Sequence, residues 1–402
     1  MYLQNLSLTQ FRNFARLDLD VPDGPVLIVG RNAQGKTSLL EAVYFLATLT
    51  SFHAENDRQL INFLETRKPI AVARLRAAFA KQDRIHQVEV RIIREQTRNG
   101  VDRSRKEILI DGLKKKAGEA AGFFNAVLFL PQMLQIIEGT PRHRRRYLDL
   151  ALSQIQPQYA AQLSEYENVL SQRNALLKLL SENGGDASQL DFWDERLSRR
   201  GAQVLSARTQ AISEMDLFAG RLHSELTDST EVLRLNYQPS YDPLPTPIKQ
   251  RSLIDEPADR SAIPIEKVEK GFRDALQKAR AEEISRGATS LGPHRDELRF
   301  LGNGIDLGTY GSRGQVRTAL LTLKLAEREW IHERTGSWPV LLLDEVLAEL
   351  DENRRADLLD RVKGIGQVLL TTTDFNLFTP EFLSQAARWQ IESGQLVQEE
   401  LG

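Results

Sequence analysis

Hydrophobic patterns predict strands, a loop and a helix in the first 50 residues. Apolar and polar positions alternate along residues 1–20, which predicts two strands joined at residues 11–14. Residues 26–29 are uniformly apolar and predict a short buried strand. Along residues 38–46 the apolar positions recur with helical spacing. The N-terminal region therefore predicts a hairpin followed by a strand, a loop and a helix.

The patterns then change three times along the chain. Residues 70–112 alternate between apolar and polar positions, which predicts an antiparallel sheet with one solvent-exposed face. Three- and four-residue spacing over residues 163–180 and 193–222 predicts two helices of about 40–55 Å, a compact lobe and no long coiled coil. A proline-rich connection at 239–264, a helix at 265–286 and strands at 298–301 and 305–307 follow.

The loop after the first buried strand matches G-x-x-x-x-G-K-[ST] at every fixed position. Its residues are Gly30, Arg31, Asn32, Ala33, Gln34, Gly35, Lys36 and Thr37. Glycines let backbone N–H groups turn onto phosphate oxygens, and the helix N-terminus adds positive potential. We expect Lys36 to reach the β- and γ-phosphates and Thr37 to ligate Mg²⁺. A glycine turn without a ligand is the alternative, but the flanking strand and helix favour an ATP or GTP site.

Two acidic residues follow a second apolar strand, at residues 340–343. A buried parallel strand delivers such side chains to the carboxyl edge of its sheet, where ligands of α/β folds bind. We expect Asp344 to hold Mg²⁺ through a water and Glu345 to polarise the water that attacks the γ-phosphate. Apolar strands that end in acids are common, so this motif gains its weight from the P-loop.

A Ser-x-Gly-Gln turn opens a predicted helix at residues 318–329. Ser312 and Gly314 would offer a hydroxyl and backbone donors to an anion at this helix N-terminus. The alternative is a simple helix cap, for which serine is well suited. One P-loop does not need a second phosphate cradle, so a phosphate-binding turn would serve the ATP of another subunit.

Composition restricts the possible partners and compartments. The 402 residues carry a net charge of −2, so any DNA affinity must come from a local patch. Residues 67–116 hold fifteen Lys or Arg against six Asp or Glu, which fits either a solvated sheet face or a phosphate-binding surface, and residues 142–146 form a second basic cluster. The chain has no cysteine, which excludes disulfides and thiol catalysis. Without a signal-like or membrane-length apolar run, the sequence predicts a cytoplasmic protein with no membrane partner.

The order of the motifs GRNAQGKT, LPQ, SRGQ, LLLDE and ELD resembles the ABC-type ATPase heads of the SMC group. The FRNF run at residues 11–14 and the LGPHRD run at 291–296 narrow the resemblance to the RecF family of bacterial recombination mediators, over nearly the whole chain. The resemblance implies an α/β ABC-type P-loop head of mixed sheets and helices, formed by residues 1–140 and 286–402. The compact helical lobe and its proline-rich connection would occupy residues 141–285.

The resemblance also implies roles for single residues. Lys36, Ser312 and Glu345 would be catalytic, with Ser312 and Gly314 acting on the ATP of a second subunit. Gln132 looks like the Q-loop residue and would join Thr37 and Asp344 at the metal. The remaining nucleotide-contacting side chains would be Arg12 and Asn13, near the phosphates, and the D-loop aspartate Asp351.

Two positions depart from the transporter pattern. The signature reads SRGQ where transporter ATPases have SGGQ, and Thr373 stands where they place a switch histidine. His294 is either a substitute for that histidine or a structural residue in a Gly-Pro turn.

The function implied by the resemblance is an ATP-dependent DNA-binding protein of DNA repair, DNA replication and the SOS response to DNA damage. It would dimerise on ATP and Mg²⁺, hydrolyse ATP slowly on double- and single-stranded DNA at gaps or junctions, and act with RecR and RecO to help RecA load. The alternatives are the ATPase subunit of an ABC-type transporter and an SMC-like structural ATPase. The helical insertion and missing switch histidine disfavour the former, and the absence of long heptads disfavours the latter.

Overall fold

The computed structural model describes residues 1–54, 56–96, 102–244, 258–363 and 366–400. The chain forms two compact units, of which the first contains residues 1–133 and 327–402 and the second contains residues 134–326. The prediction returned the chain to the head at residue 286, whereas the structure groups residues 286–326 with the second unit. The physical reason is strand pairing, because the strand Glu297–Gly302 pairs with Leu233–Gln238 of the second unit.

The described residues contain strands β1 (Tyr2–Phe11), β2 (Phe14–Asp20), β3 (Pro25–Val29), β4 (Ile70–Lys81), β5 (Arg84–Gln96), β6 (Asp102–Ile110), β7 (Leu113–Lys115), β8 (Ala126–Phe129), β9 (Leu233–Gln238), β10 (Glu297–Gly302), β11 (Ile305–Asp306), β12 (Val340–Asp344), β13 (Val368–Thr372), β14 (Ala387–Glu392) and β15 (Gln395–Glu400). Their α-helices are α1 (Lys36–Thr48), α2 (Ala117–Ala120), α3 (Gln135–Glu138), α4 (Pro141–Ile155), α5 (Tyr159–Asn183), α6 (Leu190–Leu226), α7 (Ile265–Arg286), α8 (Leu307–Tyr310), α9 (Arg313–Thr335), α10 (Glu352–Val362) and α11 (Pro380–Gln385).

An antiparallel sheet in the first unit has the strand order β2-β1-β4-β5-β6-β7. The alternation in the sequence becomes alternation across this sheet, since Leu75, Ala77 and Phe79 of β4 are buried while the residues between them are more exposed. One face therefore belongs to the core and the other faces solvent, as predicted.

A second sheet in the first unit has the order β15-β14-β3-β13-β12-β8, in which the five strands from β14 to β8 are parallel and β15 is antiparallel. The strands β12 and β13 are buried along their whole length, which explains their uninterrupted apolar runs. The carboxyl ends of β3, β12 and β13 meet at one edge, with Asp344 paired to Thr371 and Thr372 paired to Val29. This edge carries both the P-loop and the two predicted acids.

Helix α1 contacts strands of both sheets and is buried along nearly all of its length. After its first turn its sequence is apolar except for Glu41 and the terminal Thr48, which is typical of a helix inside a core. The fully buried Gln367 connects the two sheets through hydrogen bonds of its side chain. Its Oε1 accepts from the backbone N of Leu3 at 2.8 Å, and its Nε2 donates to the carbonyls of Leu3 and Pro22 at 2.9 Å.

The second unit is a helical lobe with a three-stranded antiparallel sheet of order β11-β10-β9. Helices α5, α6 and α7 pack against one another. The fully buried Arg173 of α5 donates to Asp194 of α6 at 2.7 Å and to Thr289, beyond α7, at 2.8 Å. An unpaired buried guanidinium would be strongly destabilising, so these bonds fix the helices in one arrangement.

The predicted elements agree with the structure in most places. The helix at 265–286 and the long helical pair are confirmed. Leu307 was predicted to be in a strand but begins the short helix α8, where Asp306 caps the turn by accepting from the backbone N of Gly308. The strands β7, β9, β13, β14 and β15 were not predicted, and residues 245–257 of the proline-rich connection lie outside the described residues. None of the described helices has the length and apolar character that a membrane span requires.

Candidate nucleotide-binding site

The P-loop connects the end of β3 to the start of α1, as its sequence predicts. Gly35 is the N-cap of α1 with φ of 116°, a conformation that glycine adopts without strain. A Cβ atom at Gly35 would lie 2.6 Å from Nδ2 of Asn13, and that Nδ2 donates to the carbonyl of Gln34 at 2.9 Å. Asn13, between β1 and β2, therefore packs closely against the loop and holds its backbone.

The ammonium of Lys36 is directed into the P-loop. The residue is only 4% exposed, and its Nζ donates to the carbonyl of Gly30 at 2.6 Å. The same Nζ lies 3.1 Å from Oε1 of Glu345. The lysine charge is thus already placed next to the backbone that would surround a phosphate, with a carboxylate as its present partner.

Thr37 and Asp344 meet at the edge of the parallel sheet. The Thr37 hydroxyl donates to Asp344 Oδ2 at 2.8 Å, although the residues are 307 positions apart. Thr371, beside Asp344 in β13, donates its hydroxyl to Asp344 Oδ1 at 2.6 Å. A hydroxyl and a carboxylate that converge in this way are oxygen donors of the kind that Mg²⁺ prefers, so the residues present fit this ion.

Glu345 occupies a strained position immediately after β12. Its φ of 52° lies in the left-handed region, which residues other than glycine rarely adopt. Its backbone N donates to the hydroxyl of Thr371 at 3.0 Å, and its side chain remains partly exposed. Thr371 therefore holds both acids, Asp344 through its carboxylate and Glu345 through its backbone.

These groups line one cleft of about 800 Å³ in the first unit, a volume typical of small-molecule sites. The predicted site residues among its lining are Arg12, Asn13, Arg31, Asn32, Ala33, Gly35, Lys36, Thr37, Gln132, Asp344 and Glu345. Gln132 reaches the cleft because β8 pairs with β12 and ends at the same sheet edge. The structure thus brings together residues that lie as far apart as positions 12 and 345.

Arg12 enters the cleft with its charge already paired. Its Nε and Nη2 donate to the two carboxylate oxygens of Glu41 at 2.7 and 2.8 Å, and its Nη1 donates to the carbonyl of Gln59 at 3.1 Å. Glu41 is buried in α1 and also accepts from the Ser51 hydroxyl at 2.5 Å. A bidentate salt bridge of this kind fixes the orientation of the guanidinium plane at the cleft wall.

Gln34 is directed away from the cleft. Its Oε1 accepts from the backbone N of Ser393 at 2.6 Å, and its carbonyl accepts from the backbone N of Gly394 at 3.1 Å. The β14–β15 turn therefore anchors the P-loop through Gln34, and a nucleotide contact by this residue stays a prediction. Gly30 also faces this hairpin, since a Cβ there would lie 2.5 Å from the carbonyl of Ile391.

Ser312 and Gly314 belong to the second unit, where the turn opens α9. The backbone N of Gln315 donates to the Ser312 hydroxyl at 3.2 Å, and the backbone N of Ser312 donates to Gln315 Oε1 at 3.0 Å. This reciprocal pair is a capping box, which is the alternative interpretation of the turn. Ser312 is nevertheless exposed at a helix N-terminus, so a second role toward an anion stays a prediction.

A chain of hydrogen bonds connects this turn to the end of α6. Gln315 Nε2 donates to Glu231 Oε1 at 2.9 Å, and Glu231 Oε2 lies 3.3 Å from Nε2 of His223. The buried His223 ring contacts the hydroxyl of Thr322 through Nδ1 at 2.9 Å. Glu231 therefore sets the direction of the Gln315 carboxamide that caps the turn.

Comparison with known proteins agrees with this geometry. The model of the RecF/RecN/SMC N-terminal domain matches residues 2–385. A protein of Herpetosiphon aurantiacus named DNA replication and repair protein RecF is 40% identical over 408 residues, covering 98% of this chain and 99% of its own. The chain belongs to the RecF family. The protein of the same name from Bacillus subtilis is 35% identical over 398 residues, covering 99% and 100% of the two chains.

Solved structures place the fold in the same family. The structure of the recombination mediator RecF with ATPγS has a TM-score of 0.82 at 30% identity, covering 99% of this chain and 98% of that one. The corresponding RecF–ATP structure has a TM-score of 0.81. An SMC head bound to a winged-helix domain of ScpA matches with a TM-score of 0.51 at 14% identity, which supports the head fold alone.

Three further residues marked by the RecF resemblance have structural partners. Asp351 is the N-cap of α10, where it accepts from the backbone N of Arg354 at 3.0 Å and pairs with its guanidinium at 2.8 Å, and these contacts lower the pKa of Asp351. It does not line the cleft, so its role as D-loop aspartate stays a prediction. Burial lowers the pKa of His294 to about 4, and its Nδ1 contacts the hydroxyl of Tyr166 at 2.6 Å, which favours the structural interpretation. Thr373 is exposed beyond β13.

Several residues at the cleft were not found by sequence reasoning. Thr371 was not predicted as a site residue, because its position beside Asp344 follows from strand pairing. Phe63 and Leu64 also line the cleft and are 72% and 66% exposed. The adjacent apolar pair is visible in the sequence, but only the fold shows that both side chains are exposed and line the cleft.

The basic sheet predicted as a DNA surface has many of its charges paired. Arg74 and Arg91 both bind Glu89, with contacts of 2.6 Å, and Lys114 lies 3.5 Å from Glu107. Lys115 and Lys116 are exposed, and no described carboxylate lies within ion-pair distance of either. In the second basic cluster, Arg144 pairs with Glu297 and Arg145 donates to the carbonyl of Asp296, so both hold the lobe together.

Proposed function

We propose that this chain is an ATP-dependent DNA-binding protein of recombinational repair and replication, in which ATP acts as a switch. The observation that carries the proposal is the convergence of Lys36, Thr37, Asp344 and Glu345 in one cleft. Two lines of similarity support it. Relatives that span the whole chain are named DNA replication and repair protein RecF, and related RecF structures contain ATP or ATPγS.

Each residue at the cleft has a defined part in the proposed chemistry. Lys36 balances the charge of the β- and γ-phosphates, and backbone N–H groups of residues 31–37 bind their oxygens. Thr37, Asp344 and Gln132 would hold Mg²⁺, which supplies charge neutralisation at the phosphates. Glu345 orients and polarises the attacking water. Phe63 and Leu64 offer apolar surface for the base, since a flat ring can cover both side chains.

The proposal assigns the second half of the site to another subunit. Ser312, Gly314 and Asp351 would contact an ATP that is held by the P-loop of a partner copy. Two such contacts form at once in a symmetric dimer, so ATP would stabilise dimerisation. Hydrolysis separates the subunits, so a slow rate of hydrolysis would keep the dimer on DNA for a limited time. RecR, RecO and RecA would then act at the gap where the dimer is bound.

The test of this function is ATP turnover with and without gapped DNA. Purified protein should hydrolyse ATP slowly alone and faster when gapped duplex is added, and ATP should tighten its binding to that DNA. For the ATPase subunit of a transporter, gapped DNA should not change ATP turnover and ATP should not change DNA affinity. Equal turnover and equal DNA affinity in all conditions would contradict the proposed function.

The exposed lysines predict the salt dependence of DNA binding. Replacing Lys115 and Lys116 with alanine should reduce the slope of log K against log salt by about one for each phosphate that the protein no longer binds. Arg74→Ala is the matched control, because that guanidinium is already paired with Glu89, whereas the two lysines have no such partner among the described residues. Fluorescence anisotropy of labelled DNA at several salt concentrations measures the slopes. If the Arg74→Ala slope falls while the lysine slope is unchanged, the assignment of the phosphate contacts is wrong.

Because Glu231 is hydrogen-bonded to Gln315, we expect a substitution of Glu231 to weaken dimerisation although Glu231 is not predicted to contact the nucleotide. Glu231→Ala releases the Gln315 carboxamide, so ATP-dependent dimerisation should weaken by about threefold to tenfold, the cost of removing one hydrogen bond. Glu231→Gln keeps an acceptor oxygen at the same place and should retain most of the dimer. Sedimentation with ATP at several protein concentrations measures both variants. Equal loss in the two would mean that the carboxylate charge, and not the acceptor, matters.

A further inference from the structure

A groove in the second unit has a composition that the nucleotide chemistry does not use. It measures about 540 Å³ and lies between α5 and α6. Helix α5 contributes Glu165, Asn168, Val169 and Gln172, and helix α6 contributes Trp193, Arg196, Arg199 and Arg200. The spacing on each helix is three or four residues, so each set forms one continuous face. We call this feature the α5–α6 groove.

The groove has more positive charge than its own carboxylates neutralise. Arg200 is well paired, with Glu165 at 2.6 Å. Arg199 has only long contacts, 3.4 Å to Glu195 and 3.6 Å to Glu269, beyond the usual length of a charge-assisted hydrogen bond. For Arg196 no described carboxylate lies within ion-pair distance, and its guanidinium lies 5.3 Å from the ring of Phe192. Two guanidinium groups therefore retain donors for an anionic ligand.

Aromatic and amide groups accompany these charges. Phe192 is 56% exposed beside the groove, and its ring packs edge-on against Trp193 with centroids 5.1 Å apart. Val169 is nearly buried and forms an apolar part of the lining. Asn168 and Gln172 are exposed on the α5 face and offer both donors and acceptors. The groove thus combines guanidinium groups that can bind carboxylates, an apolar surface, and side-chain amides that can hydrogen-bond to a peptide backbone.

We propose that the α5–α6 groove binds an acidic peptide segment of a partner protein, with carboxylates on Arg196 and Arg199 and an apolar side chain against Trp193. Arginine forks match carboxylates in two-pronged geometry, and aromatic residues with arginine are the side chains that dominate protein-binding sites. A volume of about 540 Å³ suits a few residues of such a segment.

The surroundings of the groove disfavour nucleic acid as its occupant. Between residues 159 and 226, Asp and Glu outnumber Lys and Arg by ten to seven. Nucleic-acid affinity relies on several phosphate contacts along a charged backbone. A nucleic acid has a negative charge at every nucleotide, so the part of it that extends beyond the groove would be repelled by the excess of acidic residues on these helices. A peptide with its acids confined to a short segment avoids that repulsion.

The proposal is tested with a fluorescein-labelled eight-residue peptide that contains aspartate, glutamate and one phenylalanine. Its counterpart carries asparagine and glutamine in place of the acids. We expect the acidic peptide to bind the full chain in fluorescence anisotropy and the neutral one to bind at least about tenfold more weakly, the effect of removing a charge-assisted hydrogen bond. Absence of binding by the acidic peptide would overturn the proposal.

Variants of the groove locate the binding. Arg196→Ala should lower the affinity for the acidic peptide about tenfold. The affinity of Arg196→Lys should lie between those of Arg196→Ala and the parent, because an ammonium group keeps the charge but not the planar, bidentate geometry of the guanidinium. Arg221→Ala is the matched control, since Arg221 is exposed on the same helix and lies 6.0 Å from the Phe218 ring, outside the groove. Unchanged melting temperatures and ATP turnover would establish that Arg196→Ala is folded. Equal affinity for Arg196→Ala and the parent, or displacement of the peptide from the groove by a twelve-nucleotide single strand, would contradict an acidic-peptide site.

Discussion

Replacing Glu345 with glutamine is expected to abolish ATP turnover while leaving ATP binding intact. The carboxamide has nearly the same shape but cannot polarise the attacking water, and loss of a positioned general base lowers rates by about 10²–10⁴-fold. Glu345 is also the carboxylate that lies 3.1 Å from Lys36 Nζ, and a neutral amide there leaves the lysine charge fully available to the γ-phosphate. The variant should therefore hold ATP at least as tightly as the parent and accumulate as an ATP-bound dimer.

Two measurements separate the chemical step from binding. A single-turnover assay with excess protein reports hydrolysis, and light scattering reports dimerisation under the same conditions. Glu381→Gln is the matched control, because Glu381 is an exposed carboxylate on α11 outside the cleft, and this variant should turn over ATP at the parent rate. If Glu345→Gln hydrolyses ATP normally, the carboxylate that follows β12 is not the base and the roles assigned to the cleft need revision.

Mixing two inactive variants is expected to restore ATP hydrolysis. Lys36→Arg keeps a positive charge but places a planar fork where a compact ammonium fits, so the P-loop should fail. Ser312→Arg places a bulky cation at the turn that would meet a partner's γ-phosphate. In a mixed dimer, one composite site would combine the intact P-loop of one copy with the intact turn of the other. Random pairing of two symmetric subunits would restore up to about a quarter of the parent turnover.

The matched variant at the turn is Ser312→Asp, which separates capping from phosphate binding. Aspartate caps helices as well as serine does, so α9 should remain intact. A carboxylate next to a γ-phosphate would be repelled, so dimerisation and turnover should still fail if Ser312 acts across the dimer. If Ser312→Asp behaves as the parent and the mixed variants show no turnover, the turn is a helix cap and the site belongs to one subunit.

The P-loop and its flanking elements were predictable because their interactions are local. The motif at residues 30–37 needs only a strand before it and a helix after it, and both follow from the hydrophobic pattern of about twenty residues. Asp344 and Glu345 were predictable for a similar reason, since a run of buried residues in a parallel strand must deliver its last side chains to the carboxyl edge. Family resemblance then indicated Gln132 and Arg12, and the fold places both at the cleft.

The partners of these residues were not predictable, because strand pairing brings together distant parts of the chain. Thr371 contacts Asp344 only through the register of β12 and β13, and Gln34 is held by a turn more than 350 residues away. The charge excess of residues 67–116 likewise says nothing about which cations are paired, as Arg74 of β4 and Arg91 of β5 are with the Glu89 carboxylate of β5.

The amino-acid sequence by itself determined the family, the phosphate-binding loop and those helices and strands that have a clear hydrophobic period, since each depends on the identity and spacing of neighbouring residues. Only the tertiary structure decided that Gln34 serves as an anchor, that Thr371 holds both acids and that the α5–α6 groove keeps unneutralised arginines. These features depend on distances between residues that are far apart in the chain. Such distances follow from packing and register, which no local pattern specifies.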